Sequence, residues 1–250
     1  MTLLLKLLSN IMEKKMNLSY LSKMTALLVL VSSSAMAKTI NVQVSNLTEG
    51  QPFSHGILVA YDSSNSDVDP LFIPGKPDLG RGLADLSQYG NAEPLINYYS
   101  NVANAKEIDP VSIGQTSALY TISNVNVGDT LSYAAMLGIT NDGFATLEGW
   151  TVPRENGVYM LPLEPWDDGT EGNNERFTGQ VPGLSRIGMP AQAATGHPDV
   201  LPTQAEGFVH PHRGVLGSVS PGANSASDLD IAKQRFNDGQ VGLITITVSE

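Results

Sequence analysis

The residues best suited to chemistry in this 250-residue chain are carboxylates gathered at two glycine turns. Trp166-Asp167-Asp168-Gly169-Thr170-Glu171 puts three acids within five positions, with a glycine that lets the backbone fold back toward one point. Hard divalent cations, calcium above all, take six to eight oxygen ligands, and short acidic loops supply them. An acidic glycine turn is also a common solvated loop. Thr140-Asn141-Asp142-Gly143-Phe144 offers a second hard ligand in Asp142 or Asn141. If both turns sit at one end of a β-sandwich, their charges repel unless a cation lies between them.

Two further groups have chemical potential. In Glu206-Gly207-Phe208-Val209-His210-Pro211-His212-Arg213-Gly214, an extended backbone points His210 and His212 to the same side. Such an imidazole pair suits zinc or copper. It also suits packing beneath the loops, with Arg213 paired to a carboxylate. His55 and His197 stand alone and read as ordinary surface or loop residues. Trp150 and Trp166 have the shape to stack on a sugar ring, or to serve as core and rim aromatics.

Catalytic machinery is harder to find. The chain has no Gly-x-Ser-x-Gly elbow, no phosphate-binding glycine loop and no basic-aromatic interleaving. With no cysteine, thiolate catalysis, iron–sulfur centres and Cys-ligated copper are excluded. Asp142, Asp167, Asp168 and Glu171 could furnish a carboxylate pair for glycoside cleavage, but nothing in the sequence marks one as an acid.

These residues must be positioned by strands. Thr39 to Asn46 alternates apolar and polar residues, as a half-buried strand does. Gly56 to Tyr61 is continuously apolar. Leu79 to Tyr89 and Glu93 to Ala103 have helical spacing and form a short insertion. Strands are expected again over Ala118–Val125, Thr130–Leu137, Phe144–Val152, Val158–Leu163 and Val241–Val248, the last able to pair with the first. Gly169 to Ala226 reads as long loops. The fold class that follows is all-β, an antiparallel sandwich or barrel with a short helical insertion and long loops.

Residues 1–37 carry Lys14, Lys15 and Lys23, an apolar run from Ala26 to Val31, and the small residues Ser32 to Ser34 before Ala35-Met36-Ala37. That is the pattern of a secretory signal peptide, and the apolar run is far short of the ~20 residues that span a bilayer. The lead before Met16 is long, and translation starting at Met16 would shorten it. The mature domain is then 38–250, secreted or periplasmic. Residues 1–37 hold four Lys and one Glu, so 10 basic and 24 acidic residues remain, a net charge of −14. Such a surface repels nucleic acid and anionic lipid, and suits cations or plain solubility.

The segments TNDGF (140–144), LPLEPWDDGTE (161–171) and EGFVHPHRG (206–214), in that order, resemble the spondin domain of bacterial secreted proteins. The opening INVQVSNLTEGQPFS (40–54) and LGRGLADLSQYGNAEPL (79–95) are similar to it too, so the resemblance spans nearly the whole of 38–250. It implies a sandwich similar to the calcium-dependent membrane-binding (C2-like) domains. It further implies a calcium ion held by Asp142, Asp167 and Glu171. Trp166, Asp168 and Glu171 depart from the family's Tyr, Ala and final Asp. The reading that results is an exported calcium-binding module of the interaction or adhesion type without catalysis, with an extracellular or envelope protein or a glycan as partner. A metal-dependent hydrolase using the same acids with His210 or His212, and a metal-free structural envelope protein, are the alternatives.

Overall fold

The computed structural model describes residues 37–175, 204–220, 225–236 and 239–250. The proposed signal segment, apart from Ala37, and His197 lie outside the described residues. Among the described residues, nine strands and three short helices follow one another as β1 (Ala37–Asn46), β2 (Phe53–Tyr61), α1 (Leu83–Tyr89), α2 (Glu93–Ser100), β3 (Asn104–Ile108), β4 (Tyr120–Asn126), β5 (Thr130–Leu137), β6 (Gly143–Thr151), β7 (Gly157–Asp167), β8 (His210–Pro211), α3 (Ile231–Gln234) and β9 (Gly242–Ser249). The strands run in the order β3-β2-β5-β6-β7-β9-β1-β4, with β8 added beside β7, and every strand pair is antiparallel.

One long strand turns this ribbon into two layers. Residues 157–163 of β7 pair with β9, while residues 164–167 of the same strand pair with β6. The end strands β3 and β4 approach each other, the Asn104 Nδ2 donating to the Ser123 carbonyl at 2.8 Å. The sheet is therefore nearly closed.

Alternation dictates the first layer. β1 buries Ile40, Val42 and Val44, β9 buries Ile244, Ile246 and Val248, and the two pair with Val42 opposite Ile246. Their apolar faces meet Leu58, Tyr133 and Ala135 across the sandwich. β2 and β5 lie between two cores, which is why they read as continuous apolar runs. Their second faces, with Ile57, Val59 and Ala134, pack under α1 and α2 through Leu83, Leu86, Leu95 and Tyr99. Gly80 and Gly82 adopt positive φ, so α1 starts at Leu83 rather than Leu79, and α2 ends at Ser100 rather than Ala103. Among the described residues, no helix is long and apolar enough to cross a membrane.

Candidate metal centre

Strand register assembles the centre. Gly143 of β6 pairs with Asp167 of β7, and Asp167 pairs with His210 of β8. Adjacent strands lie ~4.8 Å apart, so three chain segments separated by tens of residues meet at one tip of the sandwich. Asp142 precedes β6 and comes with them. All three acidic or imidazole segments singled out in the sequence therefore converge.

Convergence does not give each acid the same task. Asp142 is fully buried, and its Oδ2 accepts hydrogen bonds from the Thr170 N–H (2.6 Å), the Glu171 N–H (2.9 Å) and the Thr170 hydroxyl (3.0 Å). Its carbonyl accepts from the Asp168 N–H at 3.2 Å. Asp142 thus ties down the 168–171 turn, while its Oδ1 is shielded from solvent without a hydrogen-bond partner. Burial, then the Asp167 charge, pushes its carboxyl up to about 7.

Asp168 turns under the helical layer, where the Ser87 hydroxyl of α1 donates to its Oδ2 at 3.2 Å. Burial first, then Asp78 and Asp142, raises it to about 8. Glu171 is buried as well, and its charge acts on the Tyr89 phenol, which burial chiefly holds above its ordinary value.

Asp167 is the hub. Its Oδ1 accepts from the Gly169 N–H at 2.9 Å and its Oδ2 from Asn173 Nδ2 at 2.7 Å. Burial still outweighs these bonds and raises its carboxyl. Gly169 is at φ +69°, and a Cβ there would sit 2.2 Å from the Phe208 carbonyl oxygen. The 206–210 segment can therefore lie directly on the turn, secured by the Gly207 N–H donating to the Gly169 carbonyl at 2.8 Å. That docking brings ligand atoms of Asp167, Glu206 and His210 within 4.8 Å of one another, the group among the described residues that could hold a metal. Asp142 and Glu171 are not members of it.

Hydrogen-bond partners fix the tautomers of the two histidines. His210 Nδ1 lies 2.9 Å from the Pro211 carbonyl, which can only accept, so Nδ1 carries the proton. In the neutral ring Nε2 then presents a lone pair to Asp167 Oδ1, 3.6 Å away, and it has no hydrogen-bond partner. His212 has the opposite arrangement. Its Nδ1 accepts from the Gly214 N–H at 2.9 Å, so Nε2 carries the proton, 3.9 Å from Asp167 Oδ2. Burial, Arg213 and His210 hold His212 down at about 3, and it remains neutral. His210 thus offers a ring-nitrogen lone pair at the tip, whereas His212 is a buried ring packed on Phe236, ring centroids 5.0 Å apart.

Smaller expectations resolve too. Among the described residues, Arg213 donates to the Asn173 carbonyl at 3.0 Å and pairs with no carboxylate. His55 pairs with Glu107 across β2 and β3 at 2.8 Å. Sequence reasoning did not single out Glu206 as a ligand. The available signal was its place four residues ahead of His210 with a glycine between them. No protein-family model matches this chain, and no curated protein matches it.

Proposed function

We propose that this protein is an exported β-sandwich module that binds one divalent cation at the β6–β7–β8 tip and works by recognition, without catalysis. The observation that carries this reading is the opposition of His210 Nε2 and Asp167 Oδ1, two electron-rich atoms 3.6 Å apart with no proton between them in the neutral state. A cation placed between them turns that opposition into two bonds. Asp167, Glu206 and His210 form an oxygen–oxygen–nitrogen set, which favours a borderline ion such as zinc with water completing the shell. Calcium, which prefers oxygen alone, would instead use Asp167 with Asp142 and Glu171. Both sets share Asp167; an ion in the mixed set would lock the acidic turn onto the 206–210 segment, and calcium in the oxygen set would tie the 140–143 turn to the 167–171 turn. A groove of about 480 Å³ on the β6–β7 flank is lined by residues 72, 74, 146–150, 161, 162, 164 and 166, not by Glu206 or His210, which favours binding over metal-dependent hydrolysis.

The test is thermal melting of protein stripped with chelator, then titrated with calcium or zinc. An ion at a hundredfold excess over its Kd adds about 2.7 kcal/mol, or roughly 5–10 °C for a domain of this size. A zinc shift lost in Glu206→Ala and His210→Ala assigns the mixed set. A calcium shift that survives His210→Ala and disappears in Asp167→Asn assigns the oxygen set. Identical melts with either ion and with chelator overturn the proposal.

A further inference from the structure

The flank of the sandwich holds a second feature with its own chemistry. β6 and β7 pair only from Gly143↔Asp167 to Thr146↔Glu164. Beyond that point β6 stays with β5 and β7 crosses to β9, so the two strands part. The groove of about 480 Å³ lies in the opening, within the ~300–1,000 Å³ range of ligand sites. Leu147 and Leu161 line it against the core.

Its polar groups are placed by a bulge. Leu131 faces Trp150 and Tyr133 faces Leu147, so β6 spends three steps where β5 spends two. Gly149, at φ +77°, takes the strain. Bulges re-aim side chains and spoil an edge for further strand pairing. Here the bulge brings Glu148 to the Tyr61 hydroxyl, which donates to its Oε1 at 3.3 Å, and shields its Oε2 from solvent. Glu164 is exposed on the facing strand, and its Oε2 accepts from Trp166 Nε1 at 3.4 Å.

Its aromatic groups stand apart. Trp166 sits opposite Phe144 and Trp150 six residues further along β6. At ~3.3 Å per residue, less the bulge, their backbones are roughly 17 Å apart. Each ring is braced, Trp150 by Tyr159 at 5.3 Å and Trp166 by Phe72 at 4.8 Å between centroids. Rings this far apart cannot enclose one small cation, which must lie within ~6 Å of each. The bulge argues against an added peptide strand, and the chain's net charge of −11 argues against an acidic ligand. What remains is an elongated molecule with flat apolar faces and hydroxyls between them. We infer that this groove binds a short, linear, uncharged oligosaccharide, with Trp150 and Trp166 stacking on separate sugar rings and the exposed Glu164 holding hydroxyls between them.

The full chain is titrated by calorimetry and tryptophan fluorescence with cellotetraose, maltotetraose and tetra-N-acetylchitotetraose, each up to millimolar concentration, with tetralysine as the cationic control. At least one tetrasaccharide should bind and shift the tryptophan emission. Glu164→Ala, an exposed change that should leave the melting temperature untouched, should weaken that binding at least tenfold, and so should Trp166→Phe. No binding of any of the three sugars overturns the inference. So does sugar binding indifferent to both substitutions, or tetralysine bound in place of the sugars.

Discussion

Replacing Glu148 with Gln should make the protein more resistant to alkaline conditions, because the fold buries this carboxyl where its ionised form is poorly solvated. Burial is the largest influence on it. The Ser132 and Tyr61 hydroxyls and the Leu71 N–H favour the carboxylate but do not offset burial, and the carboxyl rises from its ordinary 4.5 to about 7. A carboxyl raised in the fold binds its proton more tightly there than in the unfolded chain. Its contribution is intact below 4.5 and is lost as the pH climbs through about 7. With about 1.4 kcal/mol for each tenfold change in proton affinity, ionising this group at pH ~8 costs the fold on the order of 3 kcal/mol, against about 1 kcal/mol at pH ~5. Glutamine keeps the shape and the acceptor for Tyr61 without the charge. Urea unfolding in chelator, followed by circular dichroism at both pH values, should show the variant gaining about 2 kcal/mol over the native chain between the acid and alkaline ends. Other titrating groups are common to both proteins and cancel. Parallel pH dependences would refute the argument and show that water or a nearby donor solvates Glu148 in the fold.

Two other substitutions probe the framework. Gly169→Ala adds a methyl 2.2 Å from the Phe208 carbonyl oxygen at a backbone of φ +69°, so it should cost about 3 kcal/mol in urea unfolding and weaken cation binding by lifting the 206–210 segment off the turn. Asn46→Ala removes a buried amide whose Nδ2 donates to the Gln51 and Val111 carbonyls and whose Oδ1 accepts from the Thr48 N–H and hydroxyl; about 2–4 kcal/mol should be lost, with cation affinity unchanged.

Much of the frame was legible because alternation is a local signal. Ile40, Val42 and Val44 in β1 and Ile244, Ile246 and Val248 in β9 announce their faces and even their pairing, and β5 keeps the bounds Thr130–Leu137 expected from sequence. β3 escaped notice because Asn104–Ile108 buries only Ile108 fully and is held mainly by backbone pairing with β2. β8 is two residues long, too short for any period. The double membership of β7 was missed for another reason: Pro162 and Pro165 bracket the point where the strand leaves β9 for β6, and lacking a ladder N–H they read as the end of the strand at Leu163 rather than as a change of partner. That crossing point creates the groove, so Glu148 and Glu164 drew no notice as a pair.

The crowding of acids was legible, but its resolution was not. Four buried carboxyls at one tip cannot all be ionised in a medium that solvates charge poorly, and a single cation is one remedy among three. Asp142 draws backbone N–H groups of the 170–171 turn onto one oxygen. Asp168, pushed to about 8, keeps its proton beneath α1 at neutral pH. Those two remedies are local and ease part of the crowding, while Asp142 Oδ1 keeps no hydrogen-bond partner. Asp167 shares in both, accepting the Gly169 N–H and held above its ordinary value by burial, but the 206–210 segment also brings Glu206 and the lone pair of His210 against it. The need for an external positive charge is therefore concentrated on the β7–β8 side of the tip. A metal held there, as proposed above, would answer to an imidazole and an exposed glutamate, neither of which belongs to the acidic turn that first suggested a metal.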